Sequence, residues 1–182
     1  MKKTVFIVLI LGYILSGCAG GRYSVSKENL LSETYATSNS GLKIKIPSGW
    51  IQAFDNDNNI LDLWLVSGDY SASLKFKAIN FDVPGNMLDD AFQISIAGFR
   101  AILGNSVTFN EESIINNRTK TYGIFKNGNL IKRVIVYEVG GMFYECIADF
   151  TKEFQNSRKT NIIEIQNKVI TELINRLERS NK

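Results

Sequence analysis

The sequence predicts an α+β domain: one antiparallel β-sheet flanked by helices, in the order β-β-β-α-β-meander-α. Three observations predict it. Apolar and polar residues alternate through a series of short runs between Leu42 and Phe150, which is the period of strands. Two segments, 86–104 and 161–179, change to helical spacing, one between the strand groups and one after them. Asn127-Gly128 and Gly140-Gly141 break the second strand group as tight hairpin turns, so its strands run antiparallel.

Each element follows from its own residues. Leu42, Ile44 and Ile46 alternate with Lys43 and Lys45 as a half-buried strand, stopped by Pro47-Ser48-Gly49; Trp50 follows as a cap on the core. After the polar stretch Asp55–Asn59, the run Ile60–Val66 is apolar on both faces, as a strand covered on both sides must be. Gly68-Asp69 turns the chain into Tyr70–Ile79, where Leu74, Phe76 and Ala78 alternate with Ser73, Lys75 and Lys77, so these two strands pair as a hairpin. Pro84-Gly85-Asn86 opens a helix with Asn86 as cap and Asp89 three residues on; Leu88, Phe92, Ser95/Ile96, Phe99 and Leu103 form its apolar stripe and Gly104 ends it. Strands are expected at Ser106–Asn110, Glu112–Asn116, Lys120–Phe125, Leu130–Val139 and Met142–Phe150. The closing helix, Asn161–Arg179, carries Glu164 near its start and Arg176, Arg179 and Lys182 near its end, each suited to the helix dipole.

The N terminus carries an address. Lys2 and Lys3 precede an apolar run from Thr4 to Leu15, too short to span a hydrocarbon core of about 30 Å and of the length of a secretory h-region. The segment ends Leu15-Ser16-Gly17-Cys18, which resembles a bacterial lipobox. That resemblance implies a signal peptide over 1–17, cleavage before Cys18, a diacylglyceryl group on the Cys18 thiol and a membrane held through this N-terminal lipid. Ala19 in place of Asp implies release from the inner membrane, and hence the periplasmic face of the outer membrane where there are two. Residues 18–40, rich in Ser, Gly, Asn and Thr, are expected as a lipidated tether with one helical turn near Asn29–Thr34; a docked N-terminal strand or helix is the other reading. The globular domain is then 41–182.

The corner Ile46-Pro47-Ser48-Gly49-Trp50, the hairpin followed by a helix ending Phe99-Arg100-Ala101-Ile102-Leu103-Gly104, and the strand meander closed by Ile163–Leu177 together resemble the PsbP-like superfamily. The resemblance covers 41–179 and implies a helix–sheet–helix sandwich whose members act by binding, with no shared active site. It transfers no functional motif to a numbered residue.

Composition excludes whole classes of chemistry. The 182 residues include no histidine, which removes His-dependent triads, HExxH zinc sites and the usual near-neutral proton shuttle. Loss of Lys2 and Lys3 with the signal peptide leaves 19 basic against 18 acidic residues, so the basic excess that nucleic-acid binding needs is missing. Asp55-Asn56-Asp57-Asn58-Asn59 offers oxygens at alternate positions, but Ile60 and Val66 stand where a calcium loop needs Gly and Glu; a polar turn is expected, an ion site being the alternative. Cys146, sharing a strand face with Tyr144, Ala148 and Phe150, is expected as a buried thiol, against a reactive or bridging one. Asp89-Asp90, Glu111-Glu112, Glu145 and Asp149 show no spacing that sets two carboxylates across a cleft. Lys43, Lys45, Lys75 and Lys77 lie off the apolar faces as solvated residues or, less simply, a basic stripe. No catalytic, cofactor or metal residue is assigned. The expected function is a non-catalytic binding or accessory module for an envelope protein or other envelope component; the alternative is a carrier of a small apolar ligand or lipid in a pocket between the 86–104 helix and the sheet.

Overall fold

The computed structural model describes residues 30–54, 60–80, 87–112, 117–150 and 156–180. Within them nine strands and two long helices follow in the order β1 (Leu31–Thr37), β2 (Lys43–Pro47), β3 (Trp50–Ala53), β4 (Leu63–Ser67), β5 (Ala72–Ile79), α1 (Leu88–Leu103), β6 (Thr108–Glu111), β7 (Thr119–Lys126), β8 (Asn129–Val139), β9 (Met142–Phe150) and α2 (Asn156–Ser180). Strands β3 to β9 form one antiparallel sheet in the order β3-β4-β5-β9-β8-β7-β6, and β1 and β2 pair separately. This is the expected α+β class and order, with β1 and β3 as strands the alternation did not reveal.

The register assigns the faces. Leu65 pairs with Leu74, Leu74 with Ala148, Phe76 with Cys146 and Cys146 with Ile135, so one face presents an unbroken apolar row. Onto it α2 lays Ile162, Ile165, Val169, Ile170, Leu173 and Ile174, spaced by three and four residues as a single helical stripe, and β1–β2 add Ala36, Leu42 and Ile44. The other face packs Tyr122, Ile124, Val134, Val136, Phe143 and Ile147 against Ala91, Phe92 and Ile96 of α1. Both faces of the β7–β8–β9 region are therefore buried, by different helices.

Local chemistry fixes the turns. Asn127 and Gly128 have φ of 52° and 74°, as a type I′ hairpin between Lys126 and Asn129 requires. Gly104 ends α1 at φ 66° and donates its N–H to the Arg100 carbonyl. The start of α1 differs from expectation. Asn86 lies outside the described residues; the cap position is Met87, whose N–H donates to the Asp90 carboxylate at 3.4 Å. β4 begins at Leu63 rather than Ile60, and Ile60 is exposed. The expected strand Glu112–Asn116 falls on residues outside the described set except for Glu112, which follows the end of β6. α2 begins at Asn156, five residues before the periodicity announced it.

The tether boundary needs correction. Residues 31–37, expected within an 18–40 tether, form β1, paired with β2 from Leu31↔Pro47 to Thr37↔Lys43. Leu30 and Ala36 are buried, and the centre of the Tyr35 ring is 5.1 Å from the Arg176 guanidinium and 6.0 Å from the Lys45 ammonium. The Arg176 guanidinium also donates to the Lys43 carbonyl, so α2 fastens the small sheet. The folded domain thus includes Leu30.

Candidate functional site

Four groupings of polar or exposed residues stand out, and they differ in what can reach them. The first lies beneath α1. Ser95 Oγ and the Tyr122 hydroxyl share a hydrogen bond of 2.6 Å, and the Ser95 hydroxyl is near enough to the Glu145 carboxyl to favour its charged form. Burial pushes the Tyr122 hydroxyl well above its ordinary range, and burial likewise raises Glu145 despite Ser95 and the nearby Lys77. Ser95, Tyr122 and Glu145 are 2%, 0% and 5% exposed, with Phe92, Phe99 and Phe109 packed around the Tyr122 ring. The cluster fastens helix to sheet; its hydroxyls meet protein on every side.

The second lies beneath α2. Arg133, 3% exposed, donates from Nε to Glu112 Oε2 at 2.7 Å and from Nη1 to Gln166 Oε1 and Asn167 Oδ1, both at 2.8 Å. Gln166 Nε2 donates in turn to the Cys146 carbonyl at 2.8 Å and the Arg133 carbonyl at 3.2 Å. Burial pushes the Cys146 thiol up to about 12, so it is the inert buried thiol expected. Glu112 is the one expected carboxylate that meets a buried cation, and nothing in its spacing announced Arg133 as that partner.

Third, Asp149 joins Lys132 and, at 2.7 Å, Lys75, which also lies 5.6 Å from the centre of the Trp64 ring. Burial works against its charge, but the two lysines outweigh that and hold Asp149 below the usual range. The four strand lysines do not form one stripe. Lys43 and Lys45 are on the small sheet, Lys45 pairing with Glu33 at 3.4 Å, whereas Lys75 and Lys77 are on β5. Asp89 pairs with Lys120. Glu145 and Asp149 do lie opposite the Tyr144–Phe150 face, yet Glu145 is buried because α1 covers that side too.

Fourth come surfaces that a partner can touch. The outer side of α1 exposes Ile94, Ala97, Gly98, Ala101 and Ile102, the last 80% exposed, alongside Asp89, Asp90, Gln93 and Arg100. A Cβ built at Gly98 meets no atom of the described residues within 4 Å beyond its own stretch of helix, so no packing contact among them requires glycine there. A cleft of about 260 Å³ sits against the end of α2, its lining made of Val139, Gly140, Gly141, Ile174 and Leu177 together with the charged Arg118 and Glu138. This corrects the expected pocket: aromatic and aliphatic side chains fill the space beneath α1, and the cleft lies against the other helix. Cys18 and Asp55–Asn59 lie outside the described residues. Among those residues no group of three or more Cys, Asp or Glu is arranged to hold a metal, and no helix is long and apolar enough to cross a membrane.

The sequence matches no protein-family model and no curated protein. Its fold does match a solved structure. The solution structure of cyanobacterial PsbP (CyanoP) from Synechocystis sp. PCC 6803 superposes with a TM-score of 0.53 at 12% identity, covering 85% of this chain and 97% of that one. At that identity the likeness speaks for architecture alone: the chain has a PsbP-like fold.

Proposed function

We propose that the chain is a lipoprotein of the cell envelope, anchored by a diacylglyceryl group on Cys18, whose PsbP-like domain is a non-catalytic accessory module for a protein partner. Where the organism has two membranes, its place is the periplasmic face of the outer one. The observation that carries the binding role is the outer side of α1. Asp89, Asp90 and Arg100 charge part of that side, yet Ile94 and Ile102 stay exposed with only the small residues Ala97, Gly98 and Ala101 between them, an apolar surface that a partner would cover. Gly98 costs helix stability relative to alanine and serves no packing contact among the described residues, while Ala97 and Ala101 beside it let another backbone come close; a partner helix fits that shape. The lipid anchor is supported by Leu15-Ser16-Gly17-Cys18 and its apolar leader.

The test has two arms. Cys18→Ser sends the chain to the soluble or unprocessed fraction; cleaved chain that stays in the membrane refutes the anchor. A photo-crosslinker at Ala101 captures one defined envelope protein in intact cells, and Ile102→Asp abolishes the capture with an unchanged urea midpoint. Capture that survives Ile102→Asp, or a hydrolase or transferase activity lost on Ser95→Ala, refutes the module reading.

A second reading, carriage of a small apolar ligand, rests on the cleft against α2, whose Val139, Ile174 and Leu177 walls suit an acyl chain. Native mass spectrometry of the purified chain showing a bound lipid supports it.

A further inference from the structure

The point where the anchored segment joins the domain is fixed by hydrogen bonds. Leu30 ends the described chain on its N-terminal side, and its carbonyl accepts from the Ser48 N–H at 2.9 Å. The next residue, Gly49, accepts from the Gly68 N–H at 2.9 Å, an approach so close that a Cβ on Gly68 would lie 2.8 Å from the Gly49 oxygen. Two residues further on, at the tip of the β4–β5 turn, is Tyr70. The junction and this tip therefore form one continuous pole of the molecule.

Tyr70 is unusual. Its φ is +56°, a left-handed conformation that bulky side chains seldom adopt, and the residue is 72% exposed. The turn that displays it is stiff. Asp69 accepts from Ser67 Oγ at 2.7 Å, from the Ser71 N–H at 3.1 Å and from the Ser71 hydroxyl, and the Tyr70 N–H donates to the Ser67 carbonyl at 2.8 Å. The exposed Arg158, 3.9 Å from Asp69, sets a cation beside it. A conformation that costs the fold energy, spent to hold an aromatic ring in the open, points to a use outside the fold.

We propose that this pole rests on the bilayer and that Tyr70 lodges among the lipid headgroups as a second contact. The inference rests on the Cys18 anchor reading. Between Cys18 and Leu30 there are eleven residues, which at about 3.3–3.6 Å each reach no more than ~40 Å. A tether that short keeps the local concentration of bilayer high, so a contact too weak to bind a domain from solution suffices to orient one. Tyrosine favours the boundary of apolar chain and water, and Arg158 suits an anionic headgroup. The β8–β9 turn at Gly140-Gly141, with the cleft against α2, then faces away from the membrane, since the β5–β9 and β8–β9 pairings put Phe150 at the Tyr70 end and Met142 at the other.

The experiment uses the full lipidated chain in vesicles of phosphatidylethanolamine and phosphatidylglycerol containing a headgroup spin-labelled lipid. A fluorophore is placed on Lys126→Cys, in the hairpin at the Tyr70 pole, or on Met142→Cys, at the far pole; Cys18 is acylated and Cys146 buried, so neither competes for the label. Quenching several-fold stronger at 126 than at 142, reduced when Tyr70→Gly is added, is expected, because glycine keeps the positive φ and removes only the ring. Equal quenching at both positions, stronger quenching at 142, or quenching at 126 indifferent to Tyr70→Gly overturns the proposal. Mass spectrometry of the N-terminal peptide separates the two readings. An unlipidated Cys18 overturns the anchor and this inference with it, whereas a lipidated Cys18 with equal quenching overturns this inference alone.

Discussion

Removal of Glu112 is the sharpest test of the network beneath α2. The Arg133 side chain is 4% exposed and Glu112 is its one anionic partner in that network, at 2.7 Å. Two unit charges about 4 Å apart attract by about 4 kcal/mol at an effective dielectric of 20. Glu112 is one third exposed, so solvent screens part of that, and about 2–3 kcal/mol is the expected loss for Glu112→Ala. The loss arises less from the vanished attraction than from a guanidinium left buried with only the Gln166 and Asn167 amide oxygens. Adding Arg133→Met to Glu112→Ala removes that stranded charge, so the double variant should be about as stable as the single, the unpaired Gln166 oxygen offsetting what is regained. Urea denaturation reads both: the midpoint falls for Glu112→Ala at an unchanged m-value, and the second substitution barely moves it. A Glu112→Ala midpoint equivalent to a change under about 0.5 kcal/mol, or a double variant lower by a further ~2 kcal/mol, refutes the reasoning.

Two further outcomes follow. Glu145 has a folded-state pKa raised above 4.5, so the folded state holds its proton more tightly than the unfolded one, and stability falls as pH rises through that raised value. Asp149 and Asp69, the latter lowered from 3.8 to about 2, act in the opposite sense and withdraw stability as pH falls below 3.8. Urea midpoints across pH should show both limbs, and Glu145→Gln should raise the midpoint at pH 7 and flatten the upper limb alone; an unchanged upper limb contradicts the burial argument. The Cys146 thiol should react with a thiol reagent at pH 8 about a thousandfold or more slowly in the native chain than in urea, since reaction awaits unfolding. Rapid native labelling places the thiol at the surface.

How far the sequence could be read depended on whether one residue pattern had one structural meaning. α1 and the β7–β8–β9 meander were legible because the Leu88–Leu103 stripe, Asn127-Gly128 and Gly140-Gly141 each point to a single local geometry. β1 was not, since Leu31-Ser32-Glu33-Thr34-Tyr35-Ala36-Thr37 packs one small face against β2 and its polar remainder has the composition of a linker. β3, four residues long, gives alternation too little length to register. Glu145 shows the opposite limit: alternation placed it correctly across the strand from Cys146, but which face meets water depends on where α1 lands, and that is not a local property. For the same reason Arg133 stood unnoticed among Lys132, Val134 and Ile135, although it centres the most connected polar network described. The exposed α1 patch was present in the sequence as Ile94, Ala97, Gly98, Ala101 and Ile102, and gained meaning only once the opposite side of that helix was seen to be satisfied.

The placement of β5 has a consequence for how the chain assembles. β7, β8 and β9 meet through two tight turns and can zip together as soon as their own residues collapse, within the time such hairpins take to close. β5 joins β9 only after α1, β6 and the whole meander have been threaded between them, so that seam closes the largest loop in the main sheet. The meander is therefore the expected nucleus, with the β3–β4–β5 hairpin group docking late. Substitutions along Leu74, Phe76 and Ala78 should then chiefly hasten unfolding, whereas those at Val134 or Ile135 should slow folding itself.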